Sequence, residues 1–327
     1  MHIALIPSGN GLGHLRRAIL LSNFLIKFSK VTLFAKKKKI FLFKLNNKIK
    51  IKNLLIKSIF SKSDIYKNSW VKKFKNRDNK YNFYFLDNFP DLIRYKKNLI
   101  IFANFFWHRE LNLRNKQFIE YEKKIYNNKI ITMGNYLFQK KYMDKFNNFK
   151  IPFFGSYKKS LKKTSILISF GTAYYKDIKR IKKKLDLMIK KHKFSNVPIY
   201  LDPKLYNKSY KKYKIYKANY SRKMYDSVRV ALIKPGLGTT EECLQRGIPV
   251  LSYVKNTFGE FKFNSNILVL NKLGYKFNNF ESAINFSMKI FKDKSKIKFF
   301  EKNCKNLKWH GEKIVKRNLF LNIKDLK

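Results

Sequence analysis

Apolar residues in this chain fall into short continuous runs, separated by segments where they recur at helical spacing. Residues 3 to 7 read as a strand, and a turn holding Gly9, Gly11 and Gly13 follows. From about His14 to Phe28 the positions Ala18, Leu21, Leu25 and Phe28 repeat with helical period, and Val31 to Ala35 is the next strand. Further strands are predicted at 49–56, 82–87, 98–103 and 129–133, the last of these closing the first half; between 37 and 80 the pattern is otherwise poor. Asn88 to Asp91 reads as a turn that starts a short helix, which gives Asp87 a turn-forming role beside Pro90. Periodicity lapses around 149–156, so the linker is placed there. The pattern restarts with a strand at Ser165 and a turn at Gly171-Thr172, then a basic helix over 176–191. Strands at 197–201, 228–233 and 248–254 follow, with helices at 260–273 and 282–291 and helical character throughout 297–326. Strands alternating with helices at this spacing predict parallel, doubly wound α/β sheets.

The densest chemistry lies in residues 230–252. A strand enters a turn with Gly236 and Gly238, and Thr239 and Thr240 stand where a helix would be capped. Glu241 and Glu242 fall in the first turn, Gly247 ends the helix, and Ile248 to Val254 is the following strand. Free N–H groups and the helix dipole converge at such a turn, which suits an anion such as a phosphate. A carboxylate one turn in suits a ribose diol. A first-turn glutamate of this kind is not a core group, so its removal is expected to spare stability. Any strand-turn-helix unit needs a glycine and a cap, so this turn alone decides little. The second glycine-rich turn, Gly9 to Gly13, adds weight: two such units suggest two nucleotide-fold halves facing one cleft. A dinucleotide fold would carry an acidic residue near the end of its second strand, yet Ala35 is followed by Lys36 to Lys39, which disfavours NAD.

Length and charge refine this picture. At 327 residues two domains are the default. The formal net charge of +54 invites a nucleic-acid or polyanion reading. Of 74 basic residues, however, 11 are Arg, leaving 74 − 11 = 63 Lys. Lys, Asn, Ile, Phe and Tyr share A/T-rich codons, whereas Gly (12) and Pro (7) are scarce, so a biased genome explains the charge more simply. The lysines are spread along the whole chain as solvated faces would be, and no specific nucleic-acid partner is implied. Cys243 and Cys304 form no CxxC and sit in no His cluster, so neither a disulfide framework nor a zinc site is indicated. No basic leader precedes the first strand and no apolar run is long enough to span a bilayer, which predicts a cytoplasmic protein. Lys36 to Lys44 mixes cations with large apolar groups, a pattern of peripheral membrane contact and of ordinary amphipathic helices alike.

Two motifs carry a family resemblance. Gly9-x-Gly11-x-Gly13-His14-x-x-Arg17 and Lys234-Pro-Gly236-x-Gly238-Thr239-Thr240-Glu241-Glu242-x4-Gly247-x-Pro249 resemble the GT-B glycosyltransferases related to the N-acetylglucosaminyltransferase of peptidoglycan synthesis, a glycosyltransferase family 28-like pattern. Phe85-Leu-Asp87-Asn-x-Pro90 and Gly171-Thr172 fit the same pattern. The resemblance implies a GT-B fold: two Rossmann-like doubly wound parallel-sheet domains facing a cleft. It places an acceptor-side domain at 1–152, a nucleotide-sugar domain at 153–305, and a helix over 306–327 crossing back to the first. It implies transfer of a hexose or N-acetylhexosamine from a UDP-sugar to a cell-surface glycan or glycolipid precursor. Glu242 would then bind the ribose, and Gly236, Gly238, Thr239 and Thr240 the diphosphate. Gly171 and Thr172 would line the donor site, and Glu260 with Asn264 would contact the sugar, although Asn266 fits that register equally well. His14, beside Gly11 and Gly13, is implied as the base that deprotonates the acceptor, with Asp87 the alternative. No cofactor is expected, and the absence of an Asp-x-Asp motif points away from a metal. The first motif also resembles nucleotide-sugar hydrolases of nonulosonic-acid synthesis, in which an equivalent histidine activates water.

Overall fold

The computed structural model describes residues 1–8, 12–36, 40, 44–54, 74, 81–88, 91–110, 116–159, 163–170, 178–190, 197–255, 257 and 259–324. The chain forms two compact units, Met1–Gly155 together with Lys308–Lys327, and Ser156–Leu307.

The first unit is built on strands β1 (His2–Ile6), β2 (Lys30–Phe34), β3 (Lys50–Lys52), β4 (Phe83–Asp87), β5 (Leu99–Phe102), β6 (Ile131–Asn135) and β7 (Asn148–Ile151). They form one sheet in the order β3-β2-β1-β4-β5-β6-β7, every neighbour parallel. Its central strands are continuous apolar runs because both faces are covered. Ala4, Ile6, Tyr84, Leu86 and Ile101 share one core with Phe118, Tyr121 and Ile125 of helix α2 (Lys116–Asn127). Helix α1 (Leu12–Leu25) follows β1 and buries Ala18, Leu21 and Leu25, but it stops before Phe28. The chain turns there, Phe28 N–H bonding Leu25 O, and the Phe28 ring is left 43% exposed beneath the Lys316 ammonium. β7 lies in the segment the pattern assigns to the linker. It is a four-residue edge strand with only Ile151 fully buried, too short and too polar to show period-two alternation. The chain's closing helix, Gly311–Lys324, also belongs to this unit and buries Val315 and Leu319.

In the second unit β8 (Ser165–Ser169), β9 (Ile199–Leu201), β10 (Ile215–Lys217), β11 (Val228–Ile233), β12 (Val250–Tyr253) and β13 (Gly274–Phe277) form a parallel sheet in the order β10-β9-β8-β11-β12-β13. Helices α3 (Ile178–Lys190), α4 (Leu237–Gln245), α5 (Gly259–Leu270), α6 (Phe280–Lys292) and α7 (Lys294–Lys305) belong to this unit, with a short helix at Arg222–Ser227 before β11. The edge strands β10 and β13 escape the sequence pattern because each is short and carries an exposed lysine. Helical character over 297–326 is interrupted at 306–310, where His310 takes a left-handed φ of 67°. At this break Phe153 N–H bonds Lys308 O, while the N–H groups of His310 and Gly311 donate to Gly155 O and Phe153 O respectively. A Cβ on Gly311 would stand 2.2 Å from Pro152 O, so only glycine allows this approach.

Candidate functional site

In an open parallel sheet ligands bind beyond the carboxyl ends of the strands, where the strand order reverses. That point lies between β1 and β4 in the first sheet and between β8 and β11 in the second. In the first unit His14 and Arg17 stand one turn apart at the start of α1, and Asp87 is the last residue of β4. Arg17 donates from Nε to Asp87 Oδ2 (3.2 Å) and from Nη2 to Oδ1 (3.0 Å) and Oδ2 (3.1 Å). Its guanidinium also lies 4.2 Å over the ring of Phe102, at the end of β5. His14 Nδ1 is 3.0 Å from Asp87 Oδ1 and 3.3 Å from Arg17 Nη2. One ring nitrogen cannot donate to the carboxylate and accept from the guanidinium at once. The shorter distance and the full charge on the acceptor favour Nδ1–H donating to Asp87. Burial alone would raise the Asp87 carboxyl, but Arg17 and then His14 outweigh it and hold the group below its ordinary value. Asp87 is thus an enclosed carboxylate that meets both Arg17 and His14. Gly13 lies in the first turn of α1, while Gly11 and Pro90 are outside the described residues.

In the second unit α4 begins earlier than its threonines suggest. Gly236 is the N-cap, in extended conformation and with no side-chain cap bond, and the first intrahelical bond runs from Thr240 N–H to Gly236 O (3.1 Å). The N–H groups of Leu237, Gly238 and Thr239 precede that bond and point out of the helix start. Thr239 and Thr240 are therefore first-turn residues and not caps, and Glu241 and Glu242 move into the second turn. Glu242 is 5% exposed, and its Oε2 accepts from Arg246 Nη1 at 2.7 Å. Arg246, itself 1% exposed, also donates from Nε to Asp226 Oδ1 at 2.6 Å. Glu242 is consequently a core carboxylate, contrary to the expectation of a group whose loss spares stability. Asn264 is buried and donates to Pro235 O (2.9 Å), whereas Asn266 is exposed and accepts from Lys276 (2.9 Å). Of the two registers for the asparagine, only Asn264 reaches the turn. Glu260 lies one turn before it on α5 and acts on the charge of Lys234. Gly171 and Thr172 fall outside the described residues, as do residues 37–39 and 41–43 of the basic-apolar segment.

No protein-family model matches this sequence, and no curated protein does. Among solved structures the glycosyltransferase of kitacinnamycin is similar, with a TM-score of 0.64 at 9% identity, over 97% of this chain and 98% of that one. UGT73P12 of Glycyrrhiza uralensis, solved with glycyrrhetinic acid 3-O-monoglucuronide, gives 0.65 at 10% identity over 99% and 96%. Together with two all-parallel α/β sheets these likenesses decide the architecture. This is the GT-B fold.

Within this GT-B chain three residues matter that sequence reasoning left without a role. Arg17 lay inside the first motif, yet its partner is 70 positions away. Arg246 lies four residues after Glu242, a spacing at which an ion pair could have been read. Lys234 directly follows the apolar run of β11, and a lysine at that junction was the available signal; it is 7% exposed, with its ammonium 4.5 Å over Phe261. Beside it Ser169, Asp202 and Tyr220 form a closed set of hydroxyl and carboxylate bonds at the ends of β8 and β9. Among the described residues no group of three or more His, Cys, Asp or Glu side chains is placed to hold a metal ion, and no helix is long and apolar enough to cross a membrane.

Proposed function

We propose that this chain is a glycosyltransferase that moves a hexose or N-acetylhexosamine from a UDP-linked donor to a hydroxyl of a glycan or glycolipid precursor. The observation that carries the reading is the His14–Asp87–Arg17 cluster at the switch point of the first sheet. With its Nδ1 proton directed at Asp87, the His14 ring keeps its Nε2 lone pair for a substrate proton. Nε2 takes the proton of the acceptor hydroxyl as that oxygen bonds to the anomeric carbon. The carbon–oxygen bond to the diphosphate breaks, and UDP leaves with its electron pair. Asp87 stabilises the imidazolium that forms, and Arg17 keeps Asp87 ionised and in place.

The second unit has the donor's part in this reading. The free N–H groups of Leu237, Gly238 and Thr239 meet the diphosphate, as a helix start does for phosphates, with Gly236 and Thr240 flanking them in the same turn. Glu242, fixed by Arg246, takes the ribose diol. Asn264 is held by one amide N–H on Pro235 O, and its Oδ1 accepts from a sugar hydroxyl in this reading, alongside Glu260. Gly171 and Thr172 complete the donor side by resemblance alone.

Calorimetric titration with UDP, GDP and CDP tests the reading, and failure to bind any of them overturns it. His14→Ala is expected to lower kcat by about 10² to 10⁴-fold while leaving UDP affinity unchanged, since a base acts on the acceptor's proton and not on the nucleotide. Rapid stoichiometric release of free sugar and UDP without any acceptor would instead make the chain a UDP-sugar hydrolase.

A further inference from the structure

Lys234 has no part in the reaction as described, and its surroundings are unusual for a lysine. It directly follows β11, two residues before the N-cap of α4, and among the described residues no carboxylate oxygen lies within ion-pair distance of its ammonium. The Phe261 ring beneath it is also the group nearest Gly236, with its edge 3.7 Å from where a Cβ would stand. The carbonyl of the intervening Pro235 is pinned by Asn264 (2.9 Å). A nine-tenths buried cation is thereby held against a helix start whose cap offers no side-chain acceptor.

Among the described residues three charged groups act on it. Glu260 on α5 and Asp202 at the end of β9 favour the ammonium, while Lys204 beyond β9 opposes it. Tyr220, which bonds Asp202, stays neutral because burial and that carboxylate both push its phenol up. Burial outweighs the favourable pair and brings Lys234 down to about 8. A buried cation whose carboxylates lie beyond contact distance gains most from an anion brought directly to it.

We propose that Lys234 is the counter-charge for the donor's diphosphate, so that donor binding takes up a proton at alkaline pH. The proposal rests on the nucleotide-sugar reading and adds to it a specific cation and a proton linkage. The sign follows from the charge: the binding-competent ammonium is full below the free group's value and drains away above it. UDP affinity should therefore fall as pH rises through 8.

Titration calorimetry with UDP at pH 7.0 and 9.0, each in two buffers of different ionisation enthalpy, reads both quantities. Wild type should bind about tenfold more weakly at pH 9.0, the change that one pH unit beyond the free value gives. Close to one proton should be taken up per UDP bound at that pH, and about a tenth of one at pH 7.0. Lys234→Met should bind about tenfold or more weakly at pH 7.0, with no extra uptake at pH 9.0. Lys234→Arg, which stays charged across the range, should bind at both pH values without the fall. Wild-type affinity that is flat in pH with no proton uptake overturns the proposal, and so does Lys234→Met binding as tightly as wild type. Either result with UDP still bound leaves the nucleotide reading standing. Absence of UDP binding by wild type at both pH values removes the nucleotide reading and this assignment with it.

Discussion

The Asp87 carboxylate is enclosed, and burial by itself would favour its neutral form; Arg17 and His14 reverse that preference. Its folded value lies below the ordinary 3.8, so the stabilisation it brings is complete above that value and drains away as pH falls through the lower folded one. Asp87→Asn leaves the Arg17 guanidinium buried beside a neutral amide, a change expected to cost about 3–5 kcal/mol. Thermal melts from pH 7 down to 3 should show that cost at neutral pH and a smaller difference from wild type in acid. Per folded molecule, turnover should drop by about 10² to 10⁴-fold, because an amide can present its N–H to the ring and hold the wrong tautomer. Melting curves that superimpose at pH 7 would contradict the assignment of Asp87 as a charged partner. His14 and Asp87 were each legible as candidates from their motifs. Their contact was not, because nothing local in either segment says that the end of β4 lies beside the start of α1. That pairing is set by strand order, which brings β4 next to β1 across 80 residues of chain.

Among the elements, α4 shows how a small displacement of a helix start changes what its side chains do. Threonine is a good cap, so the sequence places the start at Thr239-Thr240. The extended Gly236 takes the cap position instead, and each later residue moves further into the helix. Glu242 thereby passes from a first-turn surface position to the buried side, four residues before Arg246, with which it pairs. Glu242→Ala is therefore expected to destabilise the protein by about 3–5 kcal/mol, since the buried Arg246 would lose its one enclosed carboxylate partner and keep its bonds to the Glu242 carbonyl and to the half-exposed Asp226. Glu241→Ala, on the part-exposed side, should change stability by no more than about 0.5 kcal/mol. Chemical denaturation of the two variants checks this, and equal midpoints would show that the Arg246 pair contributes little. Loss of UDP affinity in Glu242→Ala must then be measured on the folded fraction, or instability will pass for a ribose effect.

At the scale of the whole molecule the α/β class and most central strands were legible, because a strand buried on both faces is written as an unbroken apolar run. The edges were not: β7, β10 and β13 are three or four residues long and partly polar, and their pairing comes from neighbours distant in sequence. The closing helix was legible as a helix, but the break at 306–310 was not, since its cause is a set of backbone bonds to 153–155. Trp309 packs against Phe153 there with ring centroids 5.2 Å apart, and Glu312 accepts from Gly155 N–H (2.9 Å). Removing residues 308–327 should accordingly weaken the first unit and spare the second. Amide hydrogen exchange reads this directly: protection in β5 to β7 and α1 should fall, with β8, β11 and β12 unchanged. Uniform loss across both sheets would mean that the helix does not belong to one unit alone.

The return of the closing helix to the first unit also fixes an order of events on the ribosome. Residues 1–155 emerge before 156–307, yet the helix that buries Val315 and Leu319 in the same unit is translated after the whole of 156–307. The usual sequence of N-terminal domain first is therefore inverted at the final step. The second unit is fully translated while synthesis is still under way, and the first must wait, with part of its apolar surface uncovered, for about 20 more residues at roughly 5–20 per second. A nascent chain stalled between residues 307 and 311 would be the form most in need of a chaperone.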